Sequence, residues 1–487
     1  MKSITIAPIT RLEGHGKIEI FLRDDGSVDR AFLQIPEFRG FEKFCEGRPV
    51  EEMPRITPRI CGVCPVAHHM VSTKAVDDAY GAPPTETARK IRELLYSAFM
   101  VEDHLLHFFF LGGPDFVMGP DAPAGERNIL GVIGKVGMEI AGRLIDTRKK
   151  CREILGTLAG KPIHPVSGLP GGVSRGVTAQ EQARFKDIAA QAVEFCRFSL
   201  QVFDSVVLKN SAYVSLITGD VYRHDTYYMG LVDAGNRVNF YDGKIRVVDP
   251  SGKEFARFTA REYATHVAEH VEPWSYVKFP YLRNVGWKGF KDGADSGIYA
   301  VAPLARLNAS DGMATPLAQA EHDRMFDALG GKPSGLTLAM HWARLIEALY
   351  AAERLQELAC DPGLTAPDIR NPEFRVQGEG WGVIEAPRGT LFHHYQTDSK
   401  GLVTRANLIV ATQNNQGRIA LSVDKAARAV IQNGEVNAGQ LNLVEMAFRA
   451  YDPCMACSTH ELSGRPTVEV NIRSSVGKLL RTLRTGA

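Results

Sequence analysis

Hydrophobic positions in the middle of the chain recur at helical spacing. Between residues 87 and 111 the apolar side chains fall three or four positions apart, and segments 128–155, 179–207 and 335–359 follow the same period. This periodicity is typical of helices that bury one face. Several long helices of this kind predict a bundle-like core.

Other stretches alternate between apolar and polar residues. Residues 1–35 are typical of short strands, and so are residues 232–258, where Asp-Gly and Ser-Gly turn signals separate the runs. A second β-rich stretch covers 380–410, and helical character resumes over 423–451. We therefore predict an α+β fold that is predominantly helical, with a long-helix bundle core and small peripheral β-sheets.

The domain organisation follows from what interrupts these patterns. The sequence contains no internal repeat, low-complexity linker or long charge run, which favours one extended domain over a string of modules. We predict a single domain over residues 1–460, with a β insertion at about 232–258. Residues 461–487 form a separate C-terminal tail.

Composition and charge narrow the class of protein. The 487 residues are 44% hydrophobic and 23% charged, as in folded globular proteins. Lysine and arginine total 57 against 56 acidic residues, so no net field would attract nucleic acid. The N-terminus lacks the apolar region of a signal peptide, and the apolar run at 105–111 is far shorter than the roughly 20 residues of a membrane span. We predict a soluble, cytoplasmic protein with no direct membrane span and no nucleic-acid partner.

The eight cysteines divide into two groups. Cys45, Cys151, Cys196 and Cys360 are isolated, and we expect them to behave as small core hydrophobes. The other four form two pairs, a C-x2-C-x3-H motif at 61–68 and a C-x2-C-x2-H motif at 454–460. Eight cysteines are too few for a disulfide scaffold in a chain of this size.

Each cysteine pair could place two thiolates on one metal. Thiolates suit zinc, iron-sulfur clusters, copper(I) or nickel. Zinc ribbons keep their pairs about 15–20 residues apart, whereas these pairs lie near opposite ends of the chain. Structural zinc, a redox dithiol and a buried catalytic metal all remain open from spacing alone, although a dithiol usually accompanies a βαβ pattern that is not evident.

The motifs that are missing also limit the chemistry. No G-x-G-x-x-G follows a predicted strand and no P-loop occurs, so nicotinamide, flavin and nucleotide sites are unsupported. The sequence offers no further cysteine cluster that could hold an iron-sulfur chain. Electrons produced at a metal site would therefore leave through a partner.

A set of motifs in fixed order carries a family resemblance. They are RLEGH at 11–15, RGFE at 39–42, RICGVCPVAHH at 59–69, HLLHFFFLGGPDF at 104–116, EAPRGTLFHHY at 385–395 and DPCMACSTH at 452–460. Together they resemble the large, catalytic subunit of nickel-iron hydrogenases along essentially the whole chain. The paired histidines after the first cysteine motif, PLARLN at 303–308 and HWARLIE at 341–347 are most similar to the cytoplasmic methyl viologen-reducing branch, which is associated with heterodisulfide reductase. The NAD-linked bidirectional branch is the alternative.

The resemblance implies a ligand set and a reaction. Cys61, Cys64, Cys454 and Cys457 would bind nickel, and Cys64 and Cys457 would also bridge to iron. The iron would carry carbon monoxide and cyanide ligands. The expected reaction is the reversible heterolytic cleavage of dihydrogen into protons and electrons.

The resemblance also implies roles for charged residues around this centre. Glu13 would be the first proton acceptor from Cys454. Arg388 would place its guanidinium over the metals, either as an electrostatic group or as a base. Asp115 and Asp452 match the acidic residues that hold this arginine, in keeping with the pairing of a guanidinium with carboxylates.

Further positions match residues around the metals. His68 would donate a hydrogen bond to a bridging sulfur, and Thr412 matches the hydroxyl residue that receives a cyanide ligand, although its Ala-Thr-Gln context departs from other branches. Glu42, the carbonyl of Leu408 and His460 match a second site for magnesium or iron.

The resemblance names partners as well. An iron-sulfur small subunit would take the electrons, and further subunits of heterodisulfide reductase or diaphorase type would follow it. Related quinone-oxidoreductase subunits share the fold but lose the nickel cysteines, so they remain only a distant alternative. Related precursors are cut by a maturation protease after the last histidine motif, which implies that residues 461–487 are a propeptide and His460 the mature C-terminus.

Overall fold

A computed structural model gives the bounds of the helices and strands. It describes residues 2–7, 9–432, 434 and 436–459, and the strand segments 468–473 and 479–485. The helices are α1 Phe41–Cys45, α2 Met53–Ile56, α3 Pro65–Ala79, α4 Glu86–Leu106, α5 Pro114–Val117, α6 Ile129–Val136, α7 Met138–Ala159, α8 Ala179–Phe203, α9 Ser211–Thr218, α10 Tyr263–His266, α11 Pro303–Ala309, α12 Pro316–Ala328, α13 Met340–Cys360, α14 Ala411–Asn414, α15 Gln416–Val430 and α16 Ala438–Arg449. The strands are β1 Lys2–Ile6, β2 Lys17–Leu22, β3 Val28–Gln34, β4 Gly168–Leu169, β5 Gly172–Val173, β6 Tyr227–Val232, β7 Lys244–Val248, β8 Glu254–Phe258, β9 Val267–Val271, β10 Lys278–Leu282, β11 Tyr299–Ala300, β12 Glu379–Ala386, β13 Gly389–Thr397, β14 Val403–Ile409, β15 Val468–Arg473 and β16 Leu479–Thr485.

Long helices form the body of the protein. Helix α13 packs against both α4 and α8, and α4 also packs against α7. Helices α4 and α8 each continue into a π-helical segment, at His107–Gly112 and Asp204–Leu208. The helix predicted over 128–155 is two helices, α6 and α7. The predominance of helices confirms the predicted α+β, mainly helical fold class.

The sheets are small. Strands β1, β2 and β3 form an antiparallel sheet, and so do β12, β13 and β14. Strands β6, β7 and β8 form a sheet with β11, which runs parallel to β6. The strand pairs β4–β5, β9–β10 and β15–β16 complete the set in the part of the chain described. Strands therefore occur where alternation predicts them.

Helix α3 lies directly on strand β12. A Cβ atom at Gly382 would come within 2.2 Å of the Val71 carbonyl oxygen, so only glycine allows this approach. Cys64 immediately precedes α3, and β12 leads into the hairpin that carries Arg388. The packing thereby fixes the first cysteine pair relative to that hairpin.

One helical segment, Glu86–Val117, has the length and hydropathy of a membrane span. However, 83% of its most apolar window is buried inside the protein. A core helix of a globular protein meets the same criteria, so the segment is weak evidence for a membrane span.

Candidate metal centre

The two cysteine pairs meet in the interior. The Sγ atoms of Cys61 and Cys454 are 3.3 Å apart, those of Cys64 and Cys457 are 3.5 Å apart, and those of Cys454 and Cys457 are 2.8 Å apart. All four sulfurs lie within 4.8 Å of one another, and all four residues are buried. The fold therefore builds one four-sulfur site from segments near the two ends of the chain.

Local backbone geometry shapes the first pair. The amides of Val63 and Cys64 both donate to Cys61 Sγ at 3.2 Å, and Pro65 opens α3 at a position where its missing N–H costs nothing. Backbone donors favour a thiolate over a thiol. This loop is preorganised to present sulfur anions.

The electrostatics of the cluster suit a cation. Burial opposes ionisation at Cys61, but hydrogen bonds from the other three sulfurs lower its pKa well below the usual value. Burial and the neighbouring sulfurs raise the pKa values of Cys454 and Cys457 well above theirs. Four thiolates this close and this buried would repel one another unless a metal ion neutralised them. The donor set therefore fits a soft, thiolate-binding metal centre.

Glu13 lies against the second cysteine pair. The thiol of Cys454 donates to Glu13 Oε2 at 2.8 Å, and the Ala456 amide donates to the same oxygen at 3.2 Å. The Met455 amide donates to the Glu13 carbonyl at 2.8 Å, which holds the two segments together. Burial and the charge of Cys61 raise the pKa of Glu13, and Arg388 opposes that shift.

A surface depression begins at Glu13. Its lining comprises Glu13, Gly14, His15, Glu37, Phe38, Arg39 and Ala456. The carboxylate thus lies between a buried sulfur and an opening at the surface. This is the position that a proton acceptor on an exit route would occupy.

Arg388 is held over the cluster by carboxylates. Its Nε donates to the Asp452 carbonyl at 2.7 Å, and Nη2 lies 3.0 Å from the Asp452 carboxylate. Its Nη1 lies 3.4 Å from Asp103. Burial lowers the pKa of the guanidinium, but Asp103 and Asp452 outweigh it and raise the pKa well above its ordinary value. Arg388 is therefore a fixed positive charge beside the sulfurs.

The structure corrects the expectation that Asp115 holds Arg388. Asp115 instead contacts Arg11 at 2.5 Å and Arg449 at 2.6 Å, so its carboxylate is already neutralised elsewhere. Asp103 takes the expected place. The reason is geometric, since the π-helical turn at His107–Gly112 separates α4, which carries Asp103, from α5, which carries Asp115.

Asp103 is the functional residue that the sequence analysis missed. It lies in the buried stretch of α4, and its side chain is fully buried. Burial raises the pKa of Asp103 to about 7, and the charge of Arg388 opposes this shift. A carboxylate inside an otherwise apolar helix face is itself a signal, because buried charges need a partner.

His68 and Thr412 both line a small cavity beside the cysteines. The Thr412 hydroxyl accepts a hydrogen bond from the Cys454 amide at 3.0 Å. His68 Nδ1 lies 3.4 Å from His393 Nε2, and burial lowers the pKa of His68 to about 4, so the ring is neutral. The structure thus places both residues at the cluster, and the hydrogen bond from His68 to sulfur stays a prediction.

The residues of the expected second metal site lie partly together. Glu42 is buried, and its Oε1 accepts a hydrogen bond from the Leu408 amide at 2.7 Å. Lys278 Nζ is 3.8 Å from the other carboxylate oxygen. His460 lies outside the described residues. The pairing of Glu42 with Leu408 is therefore observed, and a metal between them stays a prediction.

Comparison with known proteins identifies the class. The family described as nickel-dependent hydrogenase matches residues 39–124 and 259–460, more than half of the chain, and a HoxL-like family matches residues 3–38. The chain belongs to the nickel-dependent hydrogenase family. It is an oxidoreductase that acts on dihydrogen, and the four-cysteine cluster is the donor set for its nickel-iron centre.

Individual relatives place the chain within that family. It is 51% identical over 485 residues to an iron-sulfur subunit of the F420-non-reducing hydrogenase of Archaeoglobus profundus, covering 99% of this chain and 100% of that one. It is 37% identical to the NAD-reducing hydrogenase HoxS subunit beta of Cupriavidus necator, covering 98% and 99%. The predicted order of the two branches is confirmed.

A solved structure agrees with the fold. The crystal structure of an NAD+-reducing nickel-iron hydrogenase in the H2-reduced state matches with a TM-score of 0.86 and 36% identity, covering 94% of this chain and 100% of that one. The protein is thus the large subunit of a multi-subunit hydrogenase.

Proposed function

We propose that Cys61, Cys64, Cys454 and Cys457 bind nickel, and that Cys64 and Cys457 also bridge to iron. The observation that carries this proposal is the convergence of the four buried sulfurs within 4.8 Å. When bound, the nickel-iron group with its carbon monoxide and cyanide ligands supplies the heterolytic cleavage of dihydrogen. The protein holds the group, receives the proton and lets the electrons leave.

Glu13 receives the proton in this proposal. Its carboxylate accepts a hydrogen bond from Cys454 Sγ, so a proton on that sulfur needs no rearrangement to move. The surface depression beside Glu13 then offers a way to solvent.

Arg388, Asp103 and Asp452 form a charged cover over the cluster. The guanidinium supplies a preorganised positive charge, an arrangement that stabilises developing negative charge without reorganisation. Arginine is rarely deprotonated, and the two carboxylates strengthen its charged form. The electrostatic role is therefore the one that the contacts support.

His68 and Thr412 would surround the diatomic and sulfur ligands. In this proposal His68 donates to a bridging sulfur, and the Thr412 hydroxyl donates to a cyanide ligand. Glu42, the Leu408 carbonyl and His460 would hold magnesium or iron at the second site, since oxygen and imidazole ligands suit both ions.

The electron partner is proposed to be an iron-sulfur small subunit in a cytoplasmic complex. Further subunits of heterodisulfide reductase type would take the electrons, as the similarity to F420-non-reducing hydrogenases favours. A diaphorase-type acceptor is the alternative, on the similarity to the NAD-reducing enzyme. Reduction of each candidate acceptor by hydrogen, measured with the native complex, would separate the two.

Infrared spectroscopy tests the metal centre. The purified native complex is expected to show absorption bands from metal-bound carbon monoxide and cyanide, because no other group in a protein absorbs in that region with this pattern. A four-cysteine zinc site would show zinc by metal analysis and no such bands. That result would overturn the proposed centre.

The C-terminal tail is proposed to be a propeptide. Only the strand segments β15 and β16 of residues 461–487 are described. Cys454 and Cys457 must fold inward to close the site, and a charged tail would be costly to bury beside them. We expect the intact mass of active, nickel-loaded protein to end at His460. A mass that includes Ala487 in fully active enzyme would contradict the proposal.

A further inference from the structure

The hairpin that presents Arg388 is gripped by a second arginine. Arg306, on α11, has no solvent exposure. Its Nη1 donates to the Ala386 carbonyl at 2.6 Å, and its Nη2 donates to the Pro387 carbonyl at 3.0 Å. These two carbonyls immediately precede Arg388 in the chain. Arg306 therefore holds the main chain from which the Arg388 side chain projects.

Two buried carboxylates orient Arg306. Glu347, on α13, accepts from Nε at 2.7 Å and also from Nη2. Glu385, on β12, accepts from Nη1 at 3.1 Å. With the two carbonyl bonds, all five N–H donors of Arg306 have acceptors. The plane of its guanidinium is thus completely determined by its surroundings.

The other side of the hairpin is fixed as well. The Asn415 side-chain amide donates to the Arg388 carbonyl at 2.8 Å, and its oxygen accepts from the Val301 amide at 2.9 Å. Gly389 has a φ of 134°, and a Cβ atom there would come within 2.2 Å of the Val301 side chain. The hairpin has little room to shift unless the grip of Arg306 is lost.

We propose that Arg306 is a positioning residue for Arg388, and that Glu347 and Glu385 serve it. This inference rests on the role proposed for Arg388 above. A buried ion cluster often adds little net stability over apolar residues of similar volume. Five directional bonds do impose a fixed geometry, and a misplacement of about 1 Å can cost about 100-fold in rate.

The test is a double-variant cycle on the native complex. Arg306→Lys keeps the charge but cannot reach all the acceptors, so we expect hydrogen-dependent dye reduction to fall about ten- to 100-fold with nickel and iron retained. In an Arg388→Lys background the same change is expected to cause no further loss, because residues that act through one another are not additive.

A matched control separates this role from ordinary core packing. Arg92 is also buried, and it binds Asp77 and the carbonyls of Leu169 and Gly172, in other segments of the chain. Arg92→Lys should leave the infrared bands of carbon monoxide and cyanide in place. Arg306→Lys should shift them in the same direction as Arg388→Lys does.

Three results would count against the positioning role. They are equal losses from Arg306→Lys with and without Arg388, infrared bands unmoved by Arg306→Lys, and equal band shifts in the Arg92 control. If Arg306→Lys fails to assemble, the isosteric Glu347→Gln decides, with a smaller loss expected that disappears in the Arg388→Lys background. Full turnover in Arg388→Lys alone would instead overturn the role proposed for Arg388.

Discussion

Replacing Cys454 or Cys61 by serine is expected to abolish hydrogen-dependent dye reduction and to lower the nickel content. Each residue contributes one of four sulfurs packed within 4.8 Å. Serine keeps the size of the side chain, but its hydroxyl is a hard, weakly acidic ligand that does not replace a soft thiolate. The loss should therefore be chemical rather than steric. Metal analysis and dye reduction on purified complex provide the measurement.

The chain offers a matched control for these variants. Cys151 is fully buried in α7, and burial raises its pKa to about 12, so it remains a thiol. Cys151→Ser should retain nickel and turnover even if it costs some stability. A Cys454→Ser protein with full turnover and normal nickel would show that the metal site has been assigned wrongly.

The fold was largely predictable because its signals are local. The periodicity at 179–207 and 335–359 corresponds to helices at Ala179–Phe203 and Met340–Cys360, and the alternation at 380–410 corresponds to β12, β13 and β14. These patterns arise from burial of one face of each element. The position of an element in the fold is a different matter, because it depends on contacts between distant segments.

The metal cluster shows that limit. Spacing alone indicated two thiolate pairs but not that they share a site, and structural zinc remained open. The meeting of Cys61 with Cys454 depends on close packing such as that of α3 on β12 and on the bond between Glu13 and Met455. Such contacts leave no periodic mark in the sequence. The family motifs supplied what the spacing could not.

The mistaken partner of Arg388 has a similar cause. Asp103 and Asp115 both lie near the HLLHFFFLGGPDF motif, and choosing between them needs the phase of the helix. The π-helical turn at His107–Gly112 changes that phase, and apolar periodicity does not reveal it. The contact of Arg306 with the Ala386 and Pro387 carbonyls was equally out of reach, because its acceptors are backbone atoms.

Glu13→Gln is expected to slow proton release while sparing the metal centre. The glutamine amide oxygen can still accept from the Ala456 amide, and the bond between the Glu13 carbonyl and the Met455 amide involves only main chain. The site should therefore assemble with normal nickel and iron. What is lost is a carboxylate 2.8 Å from Cys454 Sγ that can take up a proton.

The size of the effect follows from this lost transfer. Positioned acid–base groups contribute about 100- to 10,000-fold, so isotope exchange between deuterium gas and water should fall by about 100-fold or more in Glu13→Gln. Glu19 provides the control, because it lies on β2 of the same N-terminal sheet and pairs with Lys17. Glu19→Gln should exchange at the wild-type rate. If Glu13→Gln did so too, with its metals in place, protons would have to leave the cluster by a route that does not pass through this carboxylate.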